Sequence, residues 1–360
     1  MSKLNLYQNS YLNDLRQIQD EPADQAVRVL IENPQLIPLI NSWKEIPNTL
    51  LDDFPIELKN FFGFYQESKL NIPAEILKQG QALFNQKGDL YLAMLGFYSL
   101  PYCYAFADGA QVLVRSKRIL ESIGERLGET GSFVLEIFRP GAFINSQEAY
   151  LVCAKVRLIH AFSRFFVEKY DKDWNPDFGK PINQEDMIGT NLAFSLIVLR
   201  GWRKLGFKIS TEETTLIMQY WKWVGGLMGI NTDFWPDNSK EAFELEKLVR
   251  KRHLKESEAG RKLIGALKNY YQSTIPDPIL SSQTESILAF FLGKEASKAL
   301  DLKSSISIQG DLLGQLFKLS GWRNSGSAKG YSGFARQMKT SQLEKFGKEL
   351  RISLPEINRS

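Results

Sequence analysis

His160 is one of only two histidines in the chain, and it lies in the run Val156-Arg157-Leu158-Ile159-His160-Ala161-Phe162-Ser163-Arg164-Phe165-Phe166. On a helix, residues three, four and seven positions away share a face, which sets Cys153, Val156, Arg157, Ser163, Arg164 and Val167 around the imidazole. Leu151, Val152, Ala154, Leu158, Ile159, Phe162, Phe165 and Phe166 cover the remaining circumference. Such a helix is buried on most sides, and a cationic stripe on it needs partners. Two readings account for the stripe. A haem would offer iron to the imidazole and propionates to the guanidinium forks. Alternatively, His160 is a half-buried core histidine flanked by arginines on a solvated stripe.

A second segment of interest is Gly124-Glu125-Arg126-Leu127-Gly128-Glu129-Thr130-Gly131. If helical, it aligns its three glycines on one face, open to a neighbouring helix or a flat ligand, with Arg126 and Thr130 opposite. Other chemistries find less support. His253 ends the basic run Arg250-Lys251-Arg252-His253, which reads as an exposed helix end, so a two-histidine metal site is not expected. Cys103 and Cys153 sit in apolar surroundings without metal-ligand spacing and read as reduced core thiols, with Cys153 a poor candidate for a thiolate ligand. Signatures of serine hydrolases, phosphate-cradling loops and nucleotide sites are missing.

These residues need helices to position them. Strand-type alternation is nearly absent and helical periodicity recurs, predicting an all-α chain with helices near 22–33, 74–87, 88–98, 109–127, 146–170, 183–205, 210–229, 239–253, 256–273, 280–300 and 334–350. Ser210 to Glu213 spells a capping box, Asn183 with Asp186 resembles one, and Gly206 and Gly229 suit helix C-termini. Asp108 is expected to cap a helix starting near Gly109. The segment Trp322 to Gly333 reads as a loop or linker. No fixed-period repeat suggests a solenoid.

The composition, 43% hydrophobic and 24% charged over 360 residues, is that of an ordinary globular protein. No apolar run approaches the roughly 18 to 20 residues that span a bilayer, and the first residues lack a signal-peptide core, so a cytoplasmic protein without a transmembrane segment is expected. The net charge of +4 concentrates after Gly321, where Arg323, Lys329, Arg336, Lys339, Lys345, Lys348, Arg351 and Arg359 face only Glu344, Glu349 and Glu356. No aromatic-basic recognition motif accompanies them, so no nucleic-acid partner is expected, and the tail reads as a solvated helix. The organisation expected is an N-terminal helical extension over 1–84, a central helical domain over 85–305 and a basic helical tail over 306–360.

Taken in order, Arg126 with Thr130, Val156 to Ala161, Pro181 to Thr190, Gly201 to Gly206, Trp221 to Gly229 and Glu258 to Arg261 resemble the MpaB-type oxygenase family, which includes the bacterial latex clearing proteins. The resemblance runs over roughly residues 85 to 300. It implies a single large helical domain built around a haem pocket, with a globin-like helical core and N- and C-terminal additions. It further implies haem b with His160 as iron ligand, Arg157, Arg164, Arg126 and Thr130 in the pocket, and Arg126 and Thr130 close to the reaction. The implied chemistry is activation of O₂ toward a small hydrophobic, unsaturated, isoprenoid-like substrate. The chain departs from the latex-clearing branch at Glu129, where a lysine is expected, and Asp108 is the only acid where that branch places a distal carboxylate. A haem-binding or haem-sensing protein without turnover, and an all-α interaction module without a cofactor, fit the helical pattern as well.

Overall fold

In the structure, a computed structural model, residues 2–116, 118–275, 278–303 and 330–357 are described. The linker expected at 322–333 falls almost wholly outside them, as do the tail boundary at 306 and Arg323, Lys329 and Arg359. The helices in chain order are α1 (Asn9–Leu15), α2 (Glu21–Glu32), α3 (Leu36–Ser42), α4 (Ile56–Ser68), α5 (Ala74–Met94), α6 (Leu100–Tyr104), α7 (Ala107–Arg115), α8 (Arg118–Glu121) and α9 (Ile123–Phe138). After these come α10 (Glu148–Tyr170), α11 (Gln184–Leu192), α12 (Val198–Lys204), α13 (Thr211–Leu227), α14 (Ser239–His253), α15 (Glu258–Thr274), α16 (Pro278–Ser282), α17 (Thr284–Ala299) and α18 (Tyr331–Phe346). Among the described residues, the only β-type pairing is an isolated bridge between Phe106 and Leu254, and the fold is all-α. No helix among them is long and apolar enough to cross a membrane.

The local signals behave as their chemistry dictates. Ser210 and Glu213 form a reciprocal capping box, Asn183 accepts from the Asp186 amide at 3.0 Å, and Gly206 and Gly229 take positive φ after their helices. Four expectations need correction. The stretch 109–127 is not one helix but α7, α8 and the start of α9, interrupted where the Ser116 hydroxyl turns back to the Leu113 carbonyl. The boundary at 87/88 is a kink at Lys87 within a continuous α5. Helices α1, α3, α4 and α6 went unpredicted, because they are short or crowded with aromatic residues and owe their helicity to packing. The C-terminal helix is docked along one face rather than wholly solvated: Phe334 seats on Gly88 and Met338 on Gly131, with Leu350 beyond the helix on Gly128, while its basic residues Arg336, Lys339 and Lys345 stay exposed as expected.

Long helices α5, α10 and α13 form the centre, filled by the stack Phe84, Phe138 and Tyr220, whose rings lie 4.6 and 4.4 Å apart and nearly parallel. Two π-helical turns, Leu95–Ser99 after α5 and Ala193–Ile197 between α11 and α12, pack against each other. Ser99 Oγ donates to the Ala193 carbonyl at 2.5 Å and Tyr91 OH to that of Phe194, so carbonyls displaced from the regular ladder are satisfied. Near the end of α3, Asn41 accepts from the Leu354 amide at 2.8 Å and donates to its carbonyl at 3.1 Å, tying the segment after α18 to the N-terminal helices.

Candidate functional site

Helix α10 carries His160 and packs against α2, α4, α7, α9 and α13. Even so, Val152, Val156, Ile159, His160 and Ser163 stay only half-buried, which leaves an incompletely covered, mainly apolar stripe in the middle of the bundle. His160 Nδ1 is withdrawn from solvent and has no hydrogen-bond partner. Burial, followed by the charges of Arg164 and then Arg126, pushes the imidazole down to about 4. At neutral pH it is therefore uncharged, the form in which a histidine ligates a metal.

The two arginines of this face are held differently. Arg157 is bidentate to Asp20, with Nε at 2.6 Å and Nη2 at 2.8 Å, and its guanidinium lies over the rings of Phe61 and Phe64. Gly229 closes over this pair at φ +84°, and a side chain there would strike Asp20 Oδ2 and Arg157 Nε. Arg164, 1% exposed, makes a single contact, from Nε to Asp24 Oδ1 at 2.6 Å. Its two terminal nitrogens and Nη1 of Arg157 are buried without a partner. Burial raises Asp24 to about 6, against the pull of Arg164. Asp20 and Asp24 are the site residues that sequence reasoning missed. The available signal was two acids one turn apart beside the apolar face of Ala23, Ala26, Val27 and Leu30.

Helix α9 packs beside α10 and brings Arg126 into the electrostatic reach of His160. Arg126 pairs with the buried Glu129 at 2.5 Å, while Thr130 returns its hydroxyl to the Arg126 carbonyl at 2.9 Å. The glycine face receives Tyr270 at Gly124, Leu350 at Gly128 and Met338 at Gly131. The close approach anticipated there is thus made by protein side chains. His160, Arg157, Arg164 and Arg126 are brought together; Thr130 joins them on α9 with its hydroxyl committed to its own helix.

Two expectations about acids and bases are overturned. His253 is not an exposed helix end: it is 6% exposed, with Nε2 2.9 Å from Glu185 and Nδ1 3.2 Å from Asp108. Burial opposes its charge, but these two hydrogen bonds outweigh it and hold His253 above the ordinary histidine value. Asp108 caps no helix, because α7 begins at Ala107 after an N-cap Phe106. It pairs instead with His253, Lys255 at 3.0 Å and Arg16 at 3.7 Å. The reason is compositional: Arg16, Arg252 and Lys255 converge there with Asp108, Glu185 and Asp186, and the cluster neutralises itself. Among the described residues no group of histidine, cysteine and acid side chains is arranged to hold a metal ion, and both cysteines are free thiols. Burial pushes Cys103 up to about 12 and Cys153 higher, so neither offers a thiolate.

The chain is similar in structure to latex clearing protein LCP in its closed state, with a TM-score of 0.71 over 95% of each chain at 17% sequence identity, a likeness of fold. No curated protein matches it in sequence. Residues 105–320, which include α7, α9 and the whole of α10, match the family described as ER-bound oxygenase mpaB/B'/rubber oxygenase, catalytic domain. This chain, with its all-α fold and its His160 helix inside the matched segment, belongs to that oxygenase family.

Proposed function

We propose that this oxygenase works with haem b, held through His160, and directs O₂ at a small hydrophobic, unsaturated substrate. The observation that carries the reading is the set of nitrogens left without partners on one face of α10: His160 Nδ1, Arg157 Nη1 and both terminal nitrogens of Arg164. Buried donors of this kind are costly unless a ligand satisfies them. A neutral imidazole beside unspent guanidinium forks fits a group that has both a metal and carboxylates. When bound, haem would supply the iron at which dioxygen is activated.

The protein's own residues supply position and polarity. Arg164 has two donors free for a propionate, whereas Arg157 has one and is otherwise held by Asp20, so Arg164 is the principal anion holder in this reading. Arg126, oriented by Glu129, and Thr130 form the α9 wall. The half-buried stripe of Val152, Val156 and Ile159 offers an apolar edge that favours a hydrocarbon over water. The family's rubber oxygenases and the fold shared with a latex clearing protein support the same substrate chemistry.

The test is the visible absorption spectrum of the protein expressed with haem available, taken before and after dithionite and then carbon monoxide. A Soret band that shifts with both additions is expected. In His160→Ala, stoichiometric haem should be lost while helical circular dichroism persists. A folded wild type with no Soret band, or undiminished haem in the variant, would overturn the reading.

A further inference from the structure

Arg164 is enclosed, yet only its Nε is spoken for, by Asp24 of a helix outside the family-matched segment. A guanidinium can take a second carboxylate through its terminal nitrogens. Two carboxylates on one buried cation leave an excess negative charge that water cannot screen, and one of them is then driven to take up a proton. Asp20 at the head of α2 and the exposed Glu168 on α10 already act on Asp24 in the same direction, with Arg157 matched to Asp20 and Tyr65 of α4 beside that pair. The buried charges here, Asp20 with Arg157 and Asp24 with Arg164, are thus already balanced before any anion arrives.

We infer that Asp24 is a positioning residue for the anionic edge of the cofactor, coupling the docking of a carboxylate-bearing porphyrin on Arg164 to the uptake of one proton by α2. The inference rests on the haem reading above. Its geometric basis is the 2.6 Å contact and the unpartnered nitrogens; that Asp24 already stands at about 6 without a ligand brings the proton within reach near neutrality. His160, at about 4, titrates below that window and does not imitate the effect.

The experiment is a fluorescence titration of the full chain with zinc protoporphyrin IX from pH 6.5 to 8.5, a probe that keeps the axial ligation and both carboxylates. Wild-type affinity should fall with rising pH, by up to about tenfold per unit where the coupling is complete. Asp24→Asn should be flat over the same range and bind more tightly than wild type at pH 8, Asp24→Glu should keep the slope, and the dimethyl ester should bind wild type without pH dependence. A structural role alone predicts weaker binding by Asp24→Asn at every pH, and that result, or an unchanged slope in this variant with its melting curve intact, overturns the inference while leaving the haem reading in place. Failure of wild type to bind the porphyrin at any pH overturns both.

Discussion

At the scale of residues, the arginines on either side of His160 differ in what removing them does. Arg157 and Asp20 are 7% and 2% exposed and share two hydrogen bonds, so Arg157→Ala leaves a buried carboxylate unmatched. The expected loss is about 3–5 kcal/mol by urea unfolding, and Asp20→Ala combined with Arg157→Ala should cost clearly less than the sum of the two single changes. Gly229→Ala meets two obstacles, the φ of +84° and the atoms of the ion pair. It should lower stability by about 1–3 kcal/mol in the same assay, and a neutral result would mean that the end of α13 can move away from α2.

Among elements, the His253 cluster ties α14 to α1, α7 and α11. His253→Gln should cost about 1.5–3 kcal/mol at pH 6, measured by thermal or urea unfolding. Because the folded protein holds His253 above a free histidine, its charge contributes fully below the ordinary value, and this contribution is lost as pH rises through the raised one. The gap between wild type and variant should therefore narrow in alkali; a gap that widened would place the charge elsewhere. The sequence showed this element level unevenly. Helices α10, α13 and α14 were legible from their apolar periodicity, with a capping box agreeing in α13 at Ser210 to Glu213. His160, Arg157, Arg164 and Arg126 were legible because a polar face on an apolar helix is conspicuous. Their partners were not: Asp20, Asp24, Glu185 and Asp108 lie from 68 to 145 residues away from the cations they match, and helix geometry speaks only of the nearest turns. The same limit turned a buried His253 into an apparent helix end.

For the whole molecule, the family-matched segment shares its buried charges with residues outside it. The buried cations of α10 are balanced from α2, and α9 shows its glycine face to α18 and the segment after it. Residues 105–320 produced alone should lack a cooperative thermal transition by circular dichroism, and removing residues 1–33 from the full chain should do likewise. A sharp melt in either would show that the charges can be met by water or by rearrangement. The reciprocal bonds between Asn41 and Leu354 span 313 residues. On a ribosome adding about 5–20 residues each second, Asn41 waits many seconds for its partner. Arg157 and Arg164 emerge well before Leu354, so the charge pairs between α2 and α10 can form while the chain is still being made, ahead of the clasp between Asn41 and Leu354.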